Sequence, residues 1–163
     1  MHINRRNQLL NHKIKRKVLY KYIMKERKHA KLLEFPQLGD ERGHLVVVEG
    51  ERDIPFTIQR AFYIYGSDRT VTRGQHANRK TEFVLINVSG TSKVKVMDAD
   101  GNESIFNLDR PHIGVYIPNG LWKDMYDFSE DSVLLVLASE HYDGEEYIRD
   151  FNRYISEYQE IEK

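Results

Sequence analysis

Apolar residues along this chain recur mainly at every second position, in short runs divided by turn-forming clusters, which is the pattern of half-buried strands. Leu32-Leu33-Glu34-Phe35 is the first run; Pro36 to Gly39 then turn into Asp40-Glu41-Arg42-Gly43, which introduces His44-Leu45-Val46-Val47-Val48-Glu49. A bend at Asp53-Ile54-Pro55-Phe56 leads to the aromatic strand Ile58 to Tyr65, closed by Gly66-Ser67-Asp68. Further strands are predicted over Phe83 to Val88, Lys93 to Val96, Glu103 to Leu108, Gly114 to Ile117, Trp122 to Phe128 and Ser132 to Ala138, with a hairpin signal at Asp98-Ala99-Asp100-Gly101-Asn102. Near the end the period changes. Tyr147, Ile148, Phe151, Tyr154, Ile155, Tyr158 and Ile161 fall on one helical face, and Asp143-Gly144-Glu145-Glu146 reads as a capping box with Asp143 as N-cap and Glu146 at N3. The pattern predicts an all-β, antiparallel domain over residues 32–163, ending in an amphipathic helix over 144–161.

Charge divides the chain in a way that its formal net charge of zero conceals. Residues 1–31 hold eleven Lys and Arg against the single acid Glu26, a net of +10, while the rest holds 14 basic and 24 acidic residues, a net of −10. Within this basic N-terminal extension Leu10, Ile14, Val18 and Tyr22 step by four, the mark of a basic amphipathic helix. Three readings stand: translated upstream sequence with Met24 as the start, a helix that is solvated or packs on a second copy, or one that lies on nucleic acid or an anionic membrane surface. The first two are favoured, so no nucleic-acid partner and no membrane insertion are expected. Absence of cysteine excludes disulfides, zinc–thiolate sites and thiol nucleophiles, and suits a reducing cytoplasm. No apolar run approaches the roughly 20 residues that cross a bilayer as a helix. We expect a cytoplasmic protein.

The stretch with most chemical content is Arg73-Gly74-Gln75-His76-Ala77-Asn78-Arg79-Lys80-Thr81-Glu82. Residues two apart on a strand share a face, so His76 and Asn78 are expected side by side, with Glu82 further along the same face. An imidazole, an amide and a carboxylate there can hold a polar ligand or move a proton. The spacing His76-x-Asn78-x-x-x-Glu82, followed by Gly90 and then by Gly114-Val115-Tyr116-Ile117-Pro118-Asn119-Gly120-Leu121-Trp122-Lys123, resembles the paired motifs of the cupin (jelly-roll) barrels. In metal-binding cupins these positions supply two His, a Glu and a third His. Asn78 and Lys123 replace two of them here, and an ammonium repels a divalent cation, so no metal is expected.

Six segments narrow the resemblance: Asp40 to Gly43, Ile54 to Arg60, Arg73 to Lys80, Val88-Ser89-Gly90, Trp122 to Ser129 and Val136 to Asp143. Together they look like the WxcM-like family of cupins, whose characterised members include dTDP-sugar 3,4-ketoisomerases. The resemblance implies a homodimer that exchanges N-terminal strands, no metal or organic cofactor, and a nucleotide-linked keto sugar as ligand. The implied reaction isomerises dTDP-4-keto-6-deoxyglucose to a 3-keto sugar through an enediol, for deoxy- or amino-sugar and surface-polysaccharide synthesis. Family isomerases use a His-x-His pair; this chain keeps His76 and carries Asn78 in second place. His76 is then the acid/base, Asn78 a hydrogen-bond donor to the enolate oxygen, and the acid is Tyr63, at a position that Phe62 could fill instead, or Lys123. Arg42, Arg60 and Arg73 are candidates to grip a diphosphate. Trp122 and Tyr126 are candidates to stack on a thymine or sugar ring. Lys123, if inward, needs Glu82 or a phosphate as its anionic partner. The alternative is a barrel that binds the sugar nucleotide without turnover.

Overall fold

The computed structural model describes residues 28–160; most of the basic N-terminal extension and Ile161 lie outside them. Its strands are β1 (Lys31–Glu34), β2 (Gln37–Asp40), β3 (Gly43–Val46), β4 (Arg60–Tyr65), β5 (Arg73–Asn78), β6 (Phe83–Ser89), β7 (Ser92–Met97), β8 (Glu103–Leu108), β9 (Ile113–Ile117), β10 (Trp122–Tyr126), β11 (Val133–Ala138) and β12 (Tyr147–Ile148), followed by helix α1 (Phe151–Glu160). They form two five-stranded sheets, ordered β1-β9-β6-β11-β4 and β12-β5-β10-β7-β8, and a separate β2–β3 hairpin. All strand pairings within them are antiparallel.

Alternation decides what lies between the sheets. Phe83 and Leu85 of β6, Val94 and Val96 of β7, Val115 and Ile117 of β9, Met125 of β10 and Leu134 and Val136 of β11 form the inter-sheet core. The intervening residues of β6, Val84 and Ile86, turn to the other side of the first sheet, where Phe35, Ile54 and Phe56 cover them. On the second sheet the outer layer is Ala77, Trp122 and Ile148, closed by Tyr154 of α1. The Tyr154 hydroxyl donates to the carbonyls of Met97 and Gly120, both at 3.0 Å, which pins the helix to the turn before β10.

Two elements differ from the sequence reading. Gln37–Asp40 is a strand, not a turn, because it pairs with Gly43–Val46 across Glu41-Arg42. The helix begins at Phe151, seven residues later than expected. Asp143 does cap, accepting from the Glu145 amide, but what it caps is a single 3₁₀ turn over Gly144–Glu146. Glu146 leaves the helical path because its buried carboxylate is held by groups of the β5–β6 loop, and Tyr147 and Ile148 then pair with Asn78 and Ala77. The helix is capped by Asp150, whose carboxylate accepts from the Arg153 amide at 2.7 Å.

Candidate active site

A bulge in β5 aims the candidate imidazole. Lys123 of β10 pairs with His76, but the next residue, Asp124, pairs with Gly74, so Gln75 is an extra residue on β5. Gly74 and Gln75 both adopt left-handed backbone, at φ 88° and 52°. A Cβ at position 74 would stand 2.7 Å from the Lys123 carbonyl oxygen, so the close approach of the two strands requires glycine. His76 Nδ1 lies 2.8 Å from the Gly74 carbonyl oxygen. That bond places the proton on Nδ1 and the lone pair on Nε2, the form that a general base needs; the Asn78 side chain also bonds to the ring.

Below His76 lies a buried polar group. Asn78 is 1 % exposed and Lys123 and Glu146 are each 4 % exposed. The Lys123 ammonium donates to Asn78 Oδ1 at 2.6 Å, and Asn78 Nδ2 donates to Glu146 Oε1 at 2.9 Å, so one amide bridges a cation and an anion. Glu146 also accepts from the Lys80 and Thr81 amides at 2.9 Å and from the Thr81 hydroxyl. Burial works against the Glu146 charge, but these bonds outweigh it and hold the carboxyl below its ordinary value. Burial pushes the Lys123 ammonium down to about 7, against the pull of Glu146. Burial, then the charge of Lys123, bring His76 down to about 4.

An aromatic row leads from His76 toward β4. The His76 ring lies 4.9 Å from that of Tyr147, and Tyr147 lies 5.7 Å from Tyr142. The Arg60 guanidinium sits 5.6 Å from the Tyr142 ring centre and 5.3 Å from that of Phe62. Arg149 stands 4.7 Å over Tyr147. Arg60 Nε and Nη2 are buried and make no hydrogen bond among the described residues. A guanidinium with two buried donors to spare can bind an anion strongly, since its own partners are otherwise missing.

The expected site residues separate into two groups. His76, Asn78 and Lys123 come together, and Arg60 joins them through the aromatic row. Tyr63 does not: β4 alternates, Ile64 packs on the inter-sheet core, and so Phe62 and Arg60 share the inner face while Tyr63, 64 % exposed, points outward. Phe62, which has no proton to give, therefore occupies the inward position. Glu82 leaves the face of His76 because the loop over 79–82 resets the phase; its carboxylate accepts from Tyr116 on the far side of the first sheet. Lys123 accordingly finds its anion in Glu146, through Asn78. Trp122 lies under α1, edge-on to Phe151 at 5.1 Å. Tyr126 shares that outer face and pairs with Lys93. Arg42 is exposed in the β2–β3 turn and bound to Asp40. Exposed Arg73 donates from Nε to Ser67 at 2.9 Å. Glu146, Tyr142, Tyr147 and Arg149 escaped the site reading.

Two antiparallel sheets with an imidazole on the inner face of one define a cupin-type jelly roll. A divalent cation does not fit this one: His76 is beside an ammonium, both ends of the Asn78 amide are taken, and no cluster of three or more metal-binding groups occurs among the described residues. Residues 28–159 match the model of the "WxcM-like, C-terminal" family (FdtA), and the chain belongs to that family. It is 39% identical to the TDP-4-oxo-6-deoxy-α-D-glucose-3,4-oxoisomerase of Aneurinibacillus thermoaerophilus over 76% of this chain and 88% of that protein. Among solved structures it is similar to the sugar 3,4-ketoisomerase QdtA of Thermoanaerobacterium thermosaccharolyticum in complex with TDP, at 42% identity and TM-score 0.78, covering 81% of this chain and 96% of that one. The TDP-quinovose 3,4-ketoisomerase WlaRB of Campylobacter jejuni is 38% identical with TM-score 0.76, over 79% of this chain and 98% of that one.

Proposed function

We propose that this chain is a 3,4-ketoisomerase of a TDP-linked 4-keto-6-deoxy sugar, working without a metal in deoxy- or amino-sugar synthesis for surface polysaccharide. The observation that carries it is His76, its proton placed on Nδ1 by the Gly74 carbonyl and its lone pair on Nε2, within a family whose similar members bear that activity in their names. His76 Nε2 takes the proton from the hydroxyl-bearing carbon beside the ketone as the bonding electrons move onto the carbonyl oxygen, which takes up a proton from solvent. The resulting enediol then gives the proton of its other hydroxyl to solvent as a carbonyl forms there, while His76 returns its proton to the former carbonyl carbon. No atom is gained or lost, and one carbon is oxidised as its neighbour is reduced. Arg60 is our candidate for the diphosphate grip, because its two spare donors lie at the end of the row that starts at His76.

Proton NMR of the protein with dTDP-4-keto-6-deoxyglucose in deuterated water tests this. Deuterium entering beside the ketone with a new keto isomer, both lost in His76→Asn, is expected. Binding with no exchange would leave the non-catalytic reading in its place. A homodimer accompanies this proposal: the β2–β3 hairpin is separate from both sheets, with Leu38 and Leu45 more than half exposed. A monomer mass by light scattering would refute it. We place the protein in the cytoplasm, where a cysteine-free chain loses nothing to the reducing conditions; no described helix is long and apolar enough to cross a membrane.

A further inference from the structure

Lys123 is the least expected residue of the inner face. A buried ammonium is costly to keep, and among the described residues this one has a single hydrogen-bond partner, Asn78, besides its place 4.7 Å over the Phe83 ring. It cannot serve as a proton wire through Asn78, because an amide does not take up and release protons near neutral pH. Nor does it meet solvent. What it does have is position. Lys123 is the cross-strand partner of His76 in the β5–β10 ladder, at the bulge that aims the imidazole, and directly opposite residues project on the same side. Its charge is held there by a chain of contacts that ends on Glu146, itself fixed by three donors of the β5–β6 loop.

We infer that Lys123 is a positioning residue for the reaction: its ammonium, held by the Asn78 bridge to Glu146, keeps His76 in the free-base form. The inference rests on the reading of His76 as the base. The other groups facing His76 divide between the two forms of the ring. Arg149, over Tyr147, adds a second positive charge on the same side, whereas the Gly74 carbonyl and the Asn78 side chain favour the protonated ring. Glu146 is the nearby anion, but its charge is spent on Asn78, Thr81 and the loop amides. Of the charges acting on the imidazole, that of Lys123 has the largest effect after burial. The departure from a His-x-His pair thereby acquires a purpose, since Asn78 carries no proton but holds a fixed cation beside the histidine that does.

The test reads the imidazole directly, in ¹⁵N-labelled full-length protein titrated across pH 3 to 9, with the His76 signals assigned by their loss in His76→Asn. Lys123→Gln keeps a donor for Asn78 and removes the charge; Lys123→Arg keeps the charge. We expect the His76 midpoint to rise by about one pH unit or more in Lys123→Gln and to stay low in Lys123→Arg. The acid limb of kcat/KM should follow, at roughly tenfold lower proton concentration in Lys123→Gln alone. In the wild type, the His76 signals should also take a second step near neutral pH, as Lys123 itself loses its proton. A purely structural lysine would lower activity in both variants and leave the midpoint where it was. An unmoved midpoint in Lys123→Gln, or no second step in the wild type, overturns the inference even if isomerase activity is present. Expected midpoints with no activity would overturn the isomerase reading instead.

Discussion

The partly buried, neutral state of His76 has a consequence for stability that can be measured without any substrate. In the folded chain its pKa is about 4, against the 6.5 of an unperturbed histidine. Between those values the unfolded chain binds a proton that the folded chain refuses, so acidification favours unfolding; the loss begins below pH 6.5 and is complete near pH 4. At pH 4.5 the linkage amounts to about 2.5 kcal/mol relative to pH 7.5, from 1.36 kcal/mol for each decade of proton affinity. Lys123, also depressed, changes stability in the separate window from about pH 7 to 10.5, where stability rises with pH, and is silent in acid. Comparison with His76→Gln at one fixed protein concentration cancels the carboxylates, which titrate in both proteins. The assay is urea unfolding followed by the fluorescence of Trp122, the single tryptophan, buried against Tyr154 of α1. The wild type should lose about 1 M more of its urea midpoint between pH 7.5 and 4.5 than the variant does. Parallel losses in the two proteins would refute a neutral His76 and with it the free base on which the proposed chemistry depends.

Three further outcomes follow from the placement of other side chains. Arg60→Gln should weaken TDP binding, read by calorimetry, about ten- to a hundredfold, because a charge-assisted pair of hydrogen bonds is lost; unchanged affinity would remove Arg60 from the diphosphate. Tyr63→Phe should leave turnover within about twofold, since the hydroxyl lies on the outer face; a hundredfold fall in kcat would show that the inner and outer faces of β4 are misjudged. Glu146→Ala should cost about 3–5 kcal/mol in urea unfolding, as it strands the Lys123 charge and uncaps the Thr81 loop; a cost under 1 kcal/mol would mean that the bridge holds nothing.

How far the sequence was readable depends on whether each segment carried a contrast. In β7 the order Lys93-Val94-Lys95-Val96 displays its inner face outright, and the structure buries the two valines. In β4 the run Arg60-Ala61-Phe62-Tyr63-Ile64-Tyr65 is aromatic on both faces, so nothing local says which tyrosine or phenylalanine points inward, and a one-residue error in phase turned Tyr63 the wrong way. Glu82 is hard to place from sequence for a related reason: period two cannot be carried across a loop, and the Arg79–Thr81 segment breaks it. Trp122 and Lys123 invert the usual rule, with the indole on the outer face and the ammonium inside. The indole is nevertheless buried, because α1 lies over that sheet. Glu146 reads as a helix cap because an acid three residues after Asp143 satisfies the local rule; its long-range partners, Asn78 and Thr81, are some 65 residues away. The true cap, Asp150 directly before Phe151, did carry a local signal.

Asn78 and Lys123 look, in the sequence, like two separate losses from a histidine-based site. Physically they act as one arrangement. A neutral imidazole has one donor and one acceptor, and an amide offers the same two functions; Asn78 uses its donor on Glu146 and its acceptor on Lys123. What the amide cannot do is carry charge, and the charge is present one strand away, on Lys123 opposite His76. Changing either residue alone would therefore be worse than the pair suggests. Asn78→His beside a retained Lys123 could not become protonated without placing two cations in contact in a buried space, so it should not regain a second titrating group. The double change Asn78→His with Lys123→Gln removes that conflict and leaves Glu146 as the counter-ion. If the arrangement is one unit, activity and pH profile will respond non-additively, with the double variant less impaired than the sum of the two single ones. Strict additivity would mean that the two side chains act on His76 independently.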